Sequence, residues 1–164
     1  MTLLLTAMVV LLFGAVVALL LMNRPGLNFS WLGAFPVVVA AIAGCIPAVQ
    51  VLLGGAVLQL RFPWPVPYGE FFIELDPLSA WFLVPTLLLS ALAAVYGVGY
   101  LRPWQQRRAL GPIWFFYGLL VLGMMLVLVA RNAVLFLVAW ELMAVASFFL
   151  VTFEHERQSV REAG

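Results

Sequence analysis

Ala133-Val-Leu-Phe-Leu-Val-Ala-Trp140-Glu141-Leu-Met-Ala-Val-Ala-Ser147-Phe-Phe-Leu-Val-Thr-Phe153 carries a single charge, and that charge falls near the middle of the run. At 1.5 Å of rise per residue, a helix of this length spans about 30 Å, the thickness of a bilayer's hydrocarbon core. A helix on the surface of a soluble protein would place polar residues along one face, and this stretch does not. It reads as a membrane span.

Four similar runs precede it: Leu3 to Met22, Trp31 to Leu60, about Leu78 to Leu101, and Ile113 to Ala130. The composition agrees. Hydrophobic residues make up 66% of the chain and charged ones 9%, against roughly a quarter charged in soluble domains. The expected fold is all-α integral membrane, with five transmembrane helices and a short β-hairpin-like outer loop between helices two and three. Residues 1–153 form the membrane domain, with spans at about 3–22, 31–60, 78–101, 113–130 and 133–153, and residues 154–164 a charged cytoplasmic segment. The first span reads as retained, because no basic residue precedes it and Asn23-Arg24-Pro25-Gly26 is no small-residue cleavage site. A net charge of +1 gives nucleic acid no electrostatic footing. Cys45 is the only cysteine, which excludes an internal disulfide.

The arginines set an orientation. Arg24, Arg102, Arg107, Arg108, Arg157 and Arg161 follow spans one, three and five, whereas only Arg61 and Arg131 lie on the other side. The positive-inside rule makes the six-arginine side cytoplasmic and the N-terminus external, in a cell (inner) membrane. Trp31, Trp81, Trp104 and Trp114 fall near the expected membrane–water boundaries, where indole rings are favoured.

Between spans two and three, Arg61-Phe-Pro-Trp-Pro-Val-Pro67 reads as a stiff segment and Tyr68-Gly69 as a turn. Phe71 to Leu75 favours a strand that could pair with Val57 to Arg61. Asp76-Pro77 is a helix start, with Asp as N-cap and Pro at the first helical position. Glu70, Glu74 and Asp76 are expected to be solvated. Gly55, Gly97 and Gly99, with Ala144, Ala146 and Ser147, suit close helix contacts.

Few residues could carry chemistry. Glu154-His155-Glu156 lacks convergent geometry for a metal, since adjacent helical residues do not face one another. No phosphate loop, cysteine pair or nucleophile elbow occurs, so no cofactor or metal is expected. Glu141 stands apart. An acid at mid-bilayer costs about 2.5–3.5 kcal/mol on insertion scales, a cost that a partner, a proton or water must meet. A carboxyl whose charge depends on its partner suits a proton relay, and the bland alternative is a glutamate that glues two helices. Arg131 lies ten residues away, about 15 Å along the axis, and is out of pairing range.

The run Arg131 to Ser147, with Phe153-Glu-His-Glu156 and Arg161-Glu-Ala-Gly164, resembles the fifth helix of the antiporter-like, proton-conducting membrane subunits. That family takes in the large membrane-arm subunits of complex I, of multi-subunit sodium/proton antiporters and of membrane-bound hydrogenases. The nearest pattern is that of the hydrogenase 4 component B (formate hydrogenlyase subunit 3) group. Phe72-Ile-Glu-Leu-Asp76-Pro-Leu-Ser79 resembles the family's entry into its third helix, and the outer loop its surface hairpin.

The resemblance implies a non-redox, ion-translocating part of a larger oxidoreductase complex with no catalytic site of its own. Its partners would be other membrane subunits of a hydrogenase or complex I-like assembly, the remaining C-terminal helices of the same subunit, and the lipid bilayer. It also implies that Glu141 is the family's helix-five glutamate, which pairs with a lysine on helix seven. The sequence reads as the N-terminal portion of such a subunit, ending before that lysine. A sodium/proton antiporter subunit and a non-conducting structural scaffold are the alternative readings.

Overall fold

The computed structural model describes residues 1–22, 30–66, 69–106 and 108–152, with the backbone alone for 64–66, 69 and 70. Arg24, Arg107, Arg157, Arg161 and the Glu154-His155-Glu156 trio lie outside the described residues. Among the described residues, five helices are long and apolar enough to cross a membrane. They are α1 (Thr2–Leu21), α2 (Ser30–Leu52), α3 (Pro77–Tyr100), α4 (Gly111–Val129) and α5 (Ala133–Val151). A hairpin of β1 (Leu58–Val66) and β2 (Gly69–Leu75) joins α2 to α3, and a single 3-10 turn, Arg102–Trp104, follows α3. The expected fold class holds.

The second span is shorter than its hydrophobicity implies. Apolar character runs to Leu60, but α2 stops at Leu52. The cause is glycine chemistry. Gly54 takes φ +92°, its N–H donates to Val51 O and the Gly55 N–H donates to Gln50 O. This pair of bonds is a Schellman cap, which needs a left-handed residue just past the helix end. A Cβ at Gly55 would meet Gln50 O at 2.5 Å. Gly55 is therefore a terminator, and not the helix-contact residue that its composition suggested.

The freed residues become strand. Leu58 pairs with Leu75, Gln59 with Glu74, Leu60 with Ile73, Arg61 with Phe72 and Phe62 with Phe71, antiparallel. That is the pairing expected from the sequence. The stretch from Arg61 to Val66, expected to be a stiff loop, instead continues β1, with its register broken between Phe62 and Val66. Pro63 and Pro65 lie in that gap, where the lack of an N–H removes ladder bonds.

α1 packs between α2 and α4, and α3 lies on the far side of α2, with lighter contact to α4. α5 stands outside this group, packed along α4 and touching β2. Small residues set the close approaches, as expected where lipid supplies no hydrophobic drive between helices. The face of the Trp114 ring lies against Gly33, leaving no room for a side chain there. Trp114 sits near its helix end as expected, yet it points into the protein and is 3% exposed. Trp31 and Trp81, in contrast, are largely exposed at helix ends. Gly97 also meets Trp114, whereas Gly99 faces open space.

Gly123 is the close contact between α4 and α5: a Cβ there would lie 2.8 Å from Met143 Cγ and 3.2 Å from Ala139 O. Gly123→Ala is expected to push α5 away and destabilise the bundle by about 1–3 kcal/mol. Gly99→Ala, with nothing in its way, should be neutral or slightly stabilising through helix propensity. Thermal unfolding of the two variants in one detergent checks the contrast, and equal losses would contradict this packing.

Candidate intramembrane carboxylate and its anchoring cluster

Two features meet at the corner where α4 becomes α5. α4 ends at Ala130 in an extended conformation, and Asn132 caps α5, its Oδ1 accepting from the N–H groups of Val134 (2.8 Å) and Leu135 (3.3 Å). Arg131, between them, faces the hairpin. Its Nη2 lies 2.8 Å from Asp76 Oδ1 and donates to Ser79 Oγ at 3.0 Å, and its Nε lies 3.2 Å from Glu74 Oε1. Its N–H donates to Phe72 O, beside a single β-bridge between Ile73 and Ala130.

Ser79 Oγ completes the tie by donating to Leu128 O at 2.7 Å. Asp76 does cap α3, accepting from the Ser79 N–H at 2.8 Å. Partial burial opposes ionisation of Asp76, but the Ser79 hydrogen bonds and the Arg131 guanidinium outweigh it and hold the carboxyl below the usual range. Glu74, which also accepts from the Gln59 side-chain amide, and Asp76 are thus ion-paired and not the solvated loop acids expected. Nothing in the sequence singled these acids out, because the pairing joins residues more than fifty positions apart; Arg61, the other arginine of these loops, lies over the Phe72 ring.

Ten residues on, Glu141 occupies the middle of α5, about 12 Å along the axis from Ala133 and about 15 Å from Val151. It is the only charged side chain within the five helices. The buried stripe of α5, Leu135, Ala139 and Ala146, faces α4. Glu141 lies off that stripe, exposed among Leu137, Val138, Trp140, Val145 and Phe148, which are exposed too. Among the described residues it makes no hydrogen bond or ion pair. Arg131 is engaged elsewhere, in agreement with the distance expected from sequence. Of the other polar groups in the helices, Tyr117 OH donates to Ser90 O across α4 and α3 and Ser90 Oγ donates to Thr86 O, whereas the buried Trp114 Nε1 has no hydrogen-bond partner among the described residues.

Comparison with known proteins shows what the chain as a whole is similar to. No family model matches the chain. An uncharacterized protein of Mycobacterium tuberculosis is 40% identical over 116 residues, covering 69% of this chain and 18% of that protein. Hydrogenase-4 component B of Escherichia coli is 27% identical over 154 residues, 94% of this chain and 23% of its own length. Na(+)/H(+) antiporter subunit A1 of Staphylococcus aureus is 27% identical over 151 residues, 91% and 18% respectively. The chain therefore spans about a fifth of the length of these relatives. In structure it resembles a chain of the Mrp complex from Dietzia sp., with a TM-score of 0.71 at 24% identity, over 92% of this chain and 16% of the other.

Proposed function

We propose that this chain, a complex I-like membrane subunit of the antiporter family, forms part of a proton-translocating subunit in a hydrogenase-type membrane assembly, with Glu141 as its relay carboxylate. The observation that carries the reading is Glu141 itself: a lone acid at mid-height, on the uncovered face of the helix least enclosed by its neighbours. Lipid is an unfavourable neighbour for that group, so the face calls for a protein partner that supplies a cation or a proton-accepting group. Partner loss and gain would then change the charge of the carboxyl, as a relay requires. The partner belongs to helices of the same subunit or of a neighbouring one. Electron transfer would fall to other subunits.

The test is proton uptake by vesicles carrying the complete subunit in its assembly with Glu141→Gln. Lost uptake with normal assembly supports the relay, and normal uptake overturns it. A sodium/proton antiporter role is the second reading, favoured by the antiporter relative and by the Mrp-like fold. Sodium-dependent uptake in the absence of any redox substrate would select it.

The orientation proposed from the arginines is tested separately, in a Cys45→Ala background. Gln106→Cys is expected to resist an impermeant thiol reagent added outside intact cells, whereas Gly69→Cys should react. The reverse pattern would invert the topology.

A further inference from the structure

We infer that Arg102, Gln105, Ser30 and Trp31 form a seat for the phosphate of an anionic phospholipid headgroup. These side chains, with Val98, line a pocket of about 160 Å³ where α2 begins and α3 ends. Its size is the first argument. Sites for cofactors and drug-sized ligands run to roughly 300–1,000 Å³, so this one suits a single small polar group.

Hydrogen-bonding capacity is the second argument. Gln105 Nε2 donates to Ser30 Oγ at 2.7 Å, which leaves the Ser30 hydroxyl proton and the second Gln105 amide proton unspent. Arg102 adds a guanidinium that, among the described residues, has no side-chain hydrogen bond or ion pair. The open valences are therefore mostly donors beside one fixed positive charge, and the complementary ligand is an oxyanion.

Depth is the third argument. The pocket lies at the level where two spanning helices end, and the exposed rings of Trp31, Tyr96 and Tyr100 mark that level as a membrane–water boundary. An oxyanion abundant at this depth is a lipid phosphate, with acyl chains free to run down the apolar outer surface of α2 and α3. Basic pockets between helices at a membrane surface hold anionic headgroups in this way. The inference needs only that the chain is membrane-embedded, and it is independent of the role of Glu141.

The experiment uses the full chain in detergent, titrated with phosphatidylglycerol and read by native mass spectrometry as retained lipid. Phosphatidylcholine and inorganic phosphate are the parallel probes. Wild type is expected to retain one phosphatidylglycerol in preference to phosphatidylcholine, and Arg102→Gln to weaken retention about tenfold, as for the loss of a charged hydrogen bond. Gln105→Leu should weaken it less, and it tests the same seat should Arg102→Gln not fold. Arg108→Gln removes a cation at the same end that lies over the Trp104 ring and outside the pocket, and it should change little. Equal effects of Arg102→Gln and Arg108→Gln would show diffuse surface attraction and overturn the seat. Occupancy by inorganic phosphate with no retained lipid would overturn the lipid assignment. Glu141→Gln should leave retention unchanged, so this result and the relay result stand or fall separately.

Discussion

Glu141→Gln in the complete subunit is expected to lower proton translocation by roughly tenfold or more while complex yield stays normal, because the amide keeps shape and hydrogen-bonding capacity but carries no exchangeable acid proton. The graded series gives this its force. Glu141→Asp should retain part of the activity, since a carboxylate survives with a shorter reach. Trp140→Phe, a change on the same exposed face, should leave translocation near normal. A structural role predicts another order: Gln tolerated, with only Ala or Leu disturbing assembly. Pumping and yield measured on the same vesicles separate the two, and a Gln variant that pumps normally sinks the relay.

Arg131→Ala is expected to cost about 1–3 kcal/mol of stability, the range for breaking a partly buried ion-pair cluster once solvent screening is allowed for. The variant leaves Glu74 and Asp76 facing each other without their cation and strips Ser79 of a donor. Arg131→Lys keeps the charge but not the fork that reaches both acids, and should fall between. A pH signature accompanies the loss. The folded-state pKa of Asp76 is depressed, so its contribution is fully present above the unfolded carboxyl value of about 3.9. It is lost as pH falls through the lower folded value. Wild type should therefore weaken below about pH 4, and Arg131→Ala, already lacking much of that term, should show a shallower decline. Unfolding in detergent across this range checks both slopes, and parallel curves would remove Arg131 from the account.

The spans were legible because hydrophobic length is a one-dimensional property: four of the five helix positions follow from it to within about two residues. Span two failed because hydropathy cannot see a Schellman cap, and Gly54-Gly55 sits inside an apolar run that continues smoothly into a strand. The two hairpin segments were readable from strand propensity, though not their register, while the prolines hid how far β1 extends. At the site, Glu141 was legible as an anomaly in an otherwise apolar run. The Arg131 cluster was not, because it joins residues more than fifty positions apart, and composition alone makes loop acids look solvated. Trp114 was legible only in part, for a related reason. Sequence gives its depth, whereas its burial depends on Gly33 being placed against it by the approach of α2.

The uncovered face of α5 bears on how the protein is made. Membrane helices leave the translocation machinery in sequence, so α5 must partition into lipid with its acid whether or not a counter-charge is yet at hand. An acid at the centre opposes this by about 2.5–3.5 kcal/mol, while each Leu, Val or Phe favours it by roughly 0.3–0.6 kcal/mol. α5 has eleven such residues, worth roughly 3–7 kcal/mol together. The helix is thus greasy enough to insert unaided, and its biogenesis need not wait for any group that would answer its charge.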